Sequence, residues 1–264
     1  MFVRRLIVIS WLVILAPSSI MAQKLLFSIT VNDDSLIADP LGNSYLMKSA
    51  QLVKYDANGK LLMRYSNKVL GEIASADASN PMKILLFYPN QNRIVFLDNQ
   101  LSENGPAVDL SQGGFDQSLL ACTSHDNGIW IFDQREFELV RLDQDLRVSH
   151  RSGNIPLQTG LPLKPIYLFQ YQNFVFLYDP LIGFLTFDIF GTYIKTIPIL
   201  NATSISFSDG CIHYLKDEKL LCFQLLSLQE KEIPLPIAGA TQAIVLKEKI
   251  QIKTPEKIWV FSRD

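Results

Sequence analysis

Short apolar runs bounded by Asp, Asn, Gly or Pro recur along this chain and end in one register. Val-Lys-Tyr-Asp closes such a run at 53–56, Val-Phe-Leu-Asp at 95–98, Val-Arg-Leu-Asp at 140–143 and Leu-Thr-Phe-Asp at 185–188. Two variant endings follow, Leu-Cys-Phe-Gln at 221–224 and Trp-Val-Phe-Ser at 259–262. The intervals are 42, 45, 45, 36 and 38 residues. A period of about 40 residues made of short strands and turns is the pattern of a propeller blade, so the chain is expected to be all-β.

Within the first period four strands are visible with turn residues between them. In the second unit the runs Ile-Leu-Leu-Phe-Tyr and Ile-Val-Phe-Leu have no polar face, as expected of a sheet covered on both sides. The last unit is one strand short, with runs at Gln242–Lys247, Lys249–Lys253 and Lys257–Phe261 only. Residues Leu25–Val31 form a strand without a unit of its own. Placed at the outer edge of the last unit, it closes a ring of six four-stranded blades and ties the two ends together.

The first 22 residues are set apart by Arg4 and Arg5, an apolar run from Leu6 to Ala16, and the small residues Ser18 and Ser19. This is the pattern of a secretory signal peptide, too short in its apolar part to span a bilayer as a helix. It divides the chain into a signal at 1–22 and a propeller at 23–264, and it implies a soluble exported protein with no membrane span of its own. Without the signal, 22 basic residues face 26 acidic ones, a net charge near −4. No Lys/Arg run exists, which argues against a nucleic-acid partner.

The chain has three histidines and three cysteines, none at metal-ligand spacing, and no Gly-rich phosphate loop or nucleophile elbow. No catalytic group, metal or cofactor is expected, and the protein is read as not an enzyme. His213, between strand positions, reads as a packed core residue. If Cys211–Lys216 and Lys219–Gln224 pair across a turn at Asp217-Glu218, Cys211 lies diagonal to Cys222. Diagonal neighbours are roughly 7–8 Å apart, so buried free thiols are expected.

The repeated Asp56, Asp98, Asp143 and Asp188 each stand where a third strand ends, positioned to bind the backbone of the following turn. Ser124-His-Asp-Asn-Gly128-Ile-Trp130 comes near the Asp box of sialidase-type propellers but is one residue short between the Gly and the Trp. The departures from the repeat are the better candidates for function. They are Gln134, Arg135, Glu136 and Phe137 between two strands of the third unit, and the connection Ser152–Lys164. The latter reads as a rigid apolar loop, with Leu157, Leu161 and Leu163 set among prolines, and it either packs on the ring or docks a partner.

Asp39-Pro-Leu-Gly-Asn-Ser-Tyr-Leu46, Lys54-Tyr-Asp-Ala-Asn-Gly59, Tyr65-Ser-Asn-Lys68, Ser79-Asn-Pro-Met-Lys-Ile-Leu-Leu-Phe-Tyr88, Ile94-Val-Phe-Leu-Asp-Asn99 and Phe187-Asp-Ile-Phe-Gly-Thr-Tyr193 carry a further likeness. Through them the chain resembles an exported β-propeller family of the Bacteroidota, that of the Plug subunit of the type IX secretion translocon. The resemblance implies a periplasmic protein, monomeric within a hetero-complex, that closes the periplasmic mouth of an outer-membrane barrel. Asp34-Ser-Leu36 is also similar to the site of periplasmic O-glycosylation in that phylum. A ligand-binding or hydrolytic propeller and a scaffold for outer-membrane protein assembly are the competing readings.

Overall fold

A computed structural model describes residues 23–32 and 34–263, so the signal-peptide segment 1–22 lies outside the described residues. Strand β1 (Leu25–Thr30) comes first among the described residues. Blade 1 follows as β2 (Ser35–Ala38), β3 (Ser44–Lys48), β4 (Gln51–Tyr55) and β5 (Leu61–Ser66). Blade 2 is β6 (Ser75–Asp77), β7 (Ile84–Tyr88), β8 (Arg93–Leu97) and the short β9 (Val108–Asp109). Blade 3 is β10 (Ser118–Thr123), β11 (Ile129–Asp133), β12 (Glu138–Leu142) and β13 (Val148–Arg151).

Blade 4 comprises β14 (Tyr167–Tyr171), β15 (Phe174–Asp179), β16 (Gly183–Asp188) and β17 (Tyr193–Ile197). Blade 5 comprises β18 (Thr203–Ser208), β19 (Cys211–Lys216), β20 (Lys219–Gln224) and β21 (Glu230–Ile233). In blade 6, β22 (Gln242–Val245), β23 (Lys249–Lys253) and β24 (Lys257–Ser262) are completed by β1, which pairs antiparallel with β24 from Leu25 opposite Phe261 to Thr30 opposite Lys257. The ring is therefore a six-bladed β-propeller closed by its first strand, as the strand count requires.

The apolar runs lack a polar face because each blade is sandwiched. All five residues of β7 are buried, with Ile84, Leu86 and Tyr88 packed toward blade 1 and Leu85 and Phe87 toward blade 3. The alternation is the ordinary period of two, but both faces meet protein. Six such inter-blade cores complete the circle, the last joining Ile258 and Val260 of blade 6 to Leu36, Leu46 and Val53 of blade 1. Fully burying one such side chain is worth roughly 1.5–3 kcal/mol.

The repeated aspartates build one device four times. Oδ1 of Asp56 accepts from the backbone N–H of Asn58 at 2.9 Å and Lys60 at 2.8 Å. Asp98 does the same with Gln100 and Ser102, Asp143 with Asp145 and Arg147, and Asp188 with Phe190 and Thr192. Each carboxylate satisfies two backbone donors that the turn leaves without a strand partner.

Two expectations are corrected. Residues 211 and 224 pair, as do 213 and 222, which puts the cysteines on the expected diagonal. They nevertheless form a disulfide, Cys211–Cys222, with their Cα atoms only 5.7 Å apart. The right-handed twist of a strand pair brings one diagonal closer than the other, here into disulfide range. The remaining thiol, Cys122, is buried. The connection after blade 3 is also not a plain loop, because Ile155–Thr159 form a short helix, α1. Asn154 caps it by accepting from Leu157 N–H at 2.9 Å, Pro156 starts it, and Gly160 ends it at φ 71°.

Candidate partner-docking face

In a four-stranded antiparallel blade the turn between the second and third strands emerges on the same side of the disc as the connection to the next blade. The other two turns emerge on the opposite side. Gln134–Phe137, between β11 and β12, and the segment after β13 therefore share one face. The structure brings them into contact. Asn154 donates its side-chain N–H to the Glu136 carbonyl at 2.8 Å, and Ile155 N–H donates to the Phe137 carbonyl at 2.9 Å.

The seven residues singled out by sequence divide by burial. Gln134, Arg135 and Glu136 are exposed at the turn, where Arg135 reaches Glu136 at 3.4 Å and the Gly114 carbonyl at 3.3 Å. Phe137 is half-buried and meets Phe132 edge-on, with ring centroids 6.5 Å apart. Leu161 is half-buried as well. Leu163 is buried with Ile155 in the core between blades 3 and 4, so as a partner contact it is a correction: its side chain anchors the connection to the ring. Leu157 alone among the three leucines points outward, 85% exposed on α1.

Three apolar residues that sequence reasoning did not single out lie close by. Ile166, Leu181 and Leu200 are exposed. Asp179 organises them. Its carboxylate, buried at the end of β15, accepts from Lys164 N–H at 2.6 Å and from Leu181 N–H at 2.8 Å. Asn201 N–H donates to the Pro180 carbonyl at 2.9 Å, which sets residue 200 beside residue 181, and Ile166 N–H donates to the Tyr178 carbonyl at 2.9 Å. Ile182 packs against the same core as Ile155 and Leu163, joining this turn to α1. The only sequence signal was Asp179-Pro-Leu, an ordinary turn.

No protein-family model matches the chain, and no curated protein matches it. Solved structures do. The chain is similar in fold to known β-propellers. Virginiamycin B lyase from Staphylococcus aureus superposes with a TM-score of 0.57 at 14% identity, over 87% of this chain and 80% of that one. The Pan2 WD40 domain of Neurospora crassa gives 0.60 at 7% identity, over 91% and 95% of the two chains. The WD40 β-propeller domain of Doa1 gives 0.56 at 9%, over 92% and 98%. At such identities the likeness is one of architecture, shared by a lyase and by WD40 domains, and a fold by itself does not carry a function.

The face can present area and shape. Leu157, Ile166, Leu181 and Leu200 stand on segments fixed by backbone hydrogen bonds, and the Arg135–Glu136 turn supplies a polar margin. An apolar centre with a polar rim is the ordinary anatomy of a protein–protein contact.

Proposed function

We propose that the chain is a non-enzymatic periplasmic interaction protein that docks through the blade 3–5 face on the periplasmic mouth of an outer-membrane barrel, as a sealing subunit of a type IX secretion translocon. The observation that carries the reading is the cluster of exposed apolar side chains at Leu157, Ile166, Leu181 and Leu200 on the face that also bears the departures from the repeat. A rigid disc of six inter-blade cores is suited to closing an opening, because area and complementarity supply the affinity and no moving part is needed. The export-type leader and the resemblance to the Plug family support the compartment and the partner.

The test is affinity purification of the tagged chain from membranes of its native cell, compared with the double variant Leu157→Asp, Leu181→Asp. The wild type is expected to recover a large outer-membrane barrel, and the variant at least about tenfold less of it, since truncating or charging a central contact costs more than about 1.4 kcal/mol. The melting temperature of the variant should stay where it was, because both side chains are exposed. Recovery of no barrel by the wild type, or undiminished recovery by a folded variant, overturns the proposal.

A further inference from the structure

The opposite face holds a cavity of about 270 Å³ that the docking reading leaves unused. It lies among the first turns of blades 2, 3 and 4 and includes the near-Asp-box segment that starts at Ser124. Its lining residues bring hydroxyl and amide side chains, one imidazole and one ammonium, and no carboxylate. The two nearest carboxylates are engaged outside that lining. Asp77 accepts from the Thr123 N–H at 2.8 Å and hydroxyl at 2.6 Å, and Asp126 is paired with Arg141.

Two hydrogen-bond donors of the lining suit an anion. Lys83 Nζ gives one N–H to the Asn127 carbonyl at 2.7 Å and sits 4.2 Å from the centre of the Phe96 ring. An ammonium carries three N–H groups, so others remain. The second donor is His125, through a relay that fixes its tautomer. The Trp130 indole N–H can only donate, and it donates to Gln170 Oε1 at 3.0 Å. That sets the amide so that Gln170 Nε2 donates to His125 Nδ1 at 2.9 Å. With Nδ1 accepting, the proton of the neutral ring sits on Nε2, which has no partner among the described residues.

The wall that carries His125 is held rigid. Arg141, only 8% exposed, binds the Ser124 hydroxyl at 3.2 Å, His150 Nδ1 at 3.2 Å and the Asp126 carboxylate, so the turn is set before any ligand arrives. Burial by itself would raise the Asp126 carboxyl, but Arg141, Ser124 and the Gly128 N–H outweigh it and bring it down to about 2. Burial disfavours the charged form of Lys83, with Asp126 partly offsetting it, so an anion beside Lys83 would restore what burial takes away.

We infer that this cavity binds a small hydroxylated carboxylate of the sugar-acid or hydroxy-acid kind. Its carboxylate would be held by Lys83 Nζ and His125 Nε2–H, and its hydroxyls by the surrounding Ser, Asn and Gln side chains. A charge-assisted pair of donors selects the anion, and Asp126, the carboxylate that bears on Lys83, is already paired with Arg141. The hydroxyl and amide groups of the wall suit a ligand that carries hydroxyls, and the volume, just below the roughly 300–1,000 Å³ of sites for larger organic molecules, suits a molecule of monosaccharide size. The inference is independent of the docking face.

The experiment is calorimetric titration of the full chain with D-glucuronate and, separately, with D-glucose, which has the hydroxyls without the charge. Saturable binding of glucuronate is expected, with glucose at least about tenfold weaker, the equivalent of about 1.4 kcal/mol. Lys83→Met should weaken glucuronate by about tenfold or more, while Lys83→Arg retains most of it. Gln170→Leu, which breaks the relay but touches no charge, should weaken it several-fold. His125→Ala, at an exposed position, serves as a further variant that does not endanger the fold. Absence of glucuronate binding, equal binding of the two sugars, or full affinity in both Lys83→Met and His125→Ala overturns the inference.

Discussion

Asp188 illustrates how a single residue sets a turn. Its carboxylate holds the N–H groups of Phe190 and Thr192 at 2.9 and 2.8 Å, and Asp188→Ala leaves both without that acceptor. The expected cost is about 1–2 kcal/mol, read as a fall in melting temperature of roughly 3–6 °C; Asp188→Asn, which keeps one acceptor oxygen, should lose less than half of that. His213 sets a pH dependence. Its ring is fully buried, with Nε2 at 3.0 Å from the Ser208 hydroxyl and Nδ1 unpartnered. Burial, reinforced by the Arg263 guanidinium, pushes its pKa from 6.5 down to about 4. The fold keeps it neutral while the unfolded chain takes up a proton below its ordinary pKa, so its contribution is complete above pH 6.5 and is lost as pH falls toward 4. Between pH 7 and pH 4.5 the wild type should lose the equivalent of about 2 kcal/mol more than His213→Gln, read from urea midpoints. At this scale sequence was a good guide: the four aspartates and the core histidine were legible because each acts through neighbours within a few residues or through simple burial.

The hairpin of β19 and β20 shows where element-level reasoning reaches its limit. Its register was legible, since the turn at Asp217-Glu218 puts both residues at positive φ and pins every pair that follows. The distance between diagonal cysteines was not, because it depends on local twist, which no residue pattern specifies. The closed loop separates the cysteines by 11 residues, so the disulfide stabilises by at most about 3 kcal/mol in the chain-entropy account. Cys211→Ser with Cys222→Ser should lower the melting temperature by roughly 5–10 °C, and alkylation of the denatured, unreduced wild type should label only Cys122. A result of three reactive thiols would show that the bond is absent. Helix α1 is a second case. Asn154, Pro156 and Gly160 cap, start and end it, yet the connection read as a loop, because five residues are too few for any apolar period to mark a helix.

Closure of the ring is a whole-molecule property, and it was the most legible of all. A surplus strand at one end and a blade one strand short at the other leave one economical arrangement, and β1 pairs with β24 accordingly. In the face proposed for docking, Gln134–Phe137 and Leu157 stood out as departures from a repeat, while Ile166, Leu181 and Leu200 did not, because their proximity runs through Asp179 and the backbone of three separate segments. Leu163 shows the converse, since a leucine in a proline-rich connection reads the same whether it faces water or the core. The charged double variant at Leu157 and Leu181 belongs to this scale, for its effect on a partner with no effect on melting separates surface from scaffold. The sequence by itself determined the blade number, the order of strands and the turn chemistry, because these follow from local period and from counting. Only the tertiary structure decided which diagonal was short enough for a disulfide, which leucine was outside, and that Trp130, Gln170 and His125 line up across two blades. Those outcomes depend on twist and on the angle between blades, quantities set by packing over the whole ring and not by any stretch of residues within it.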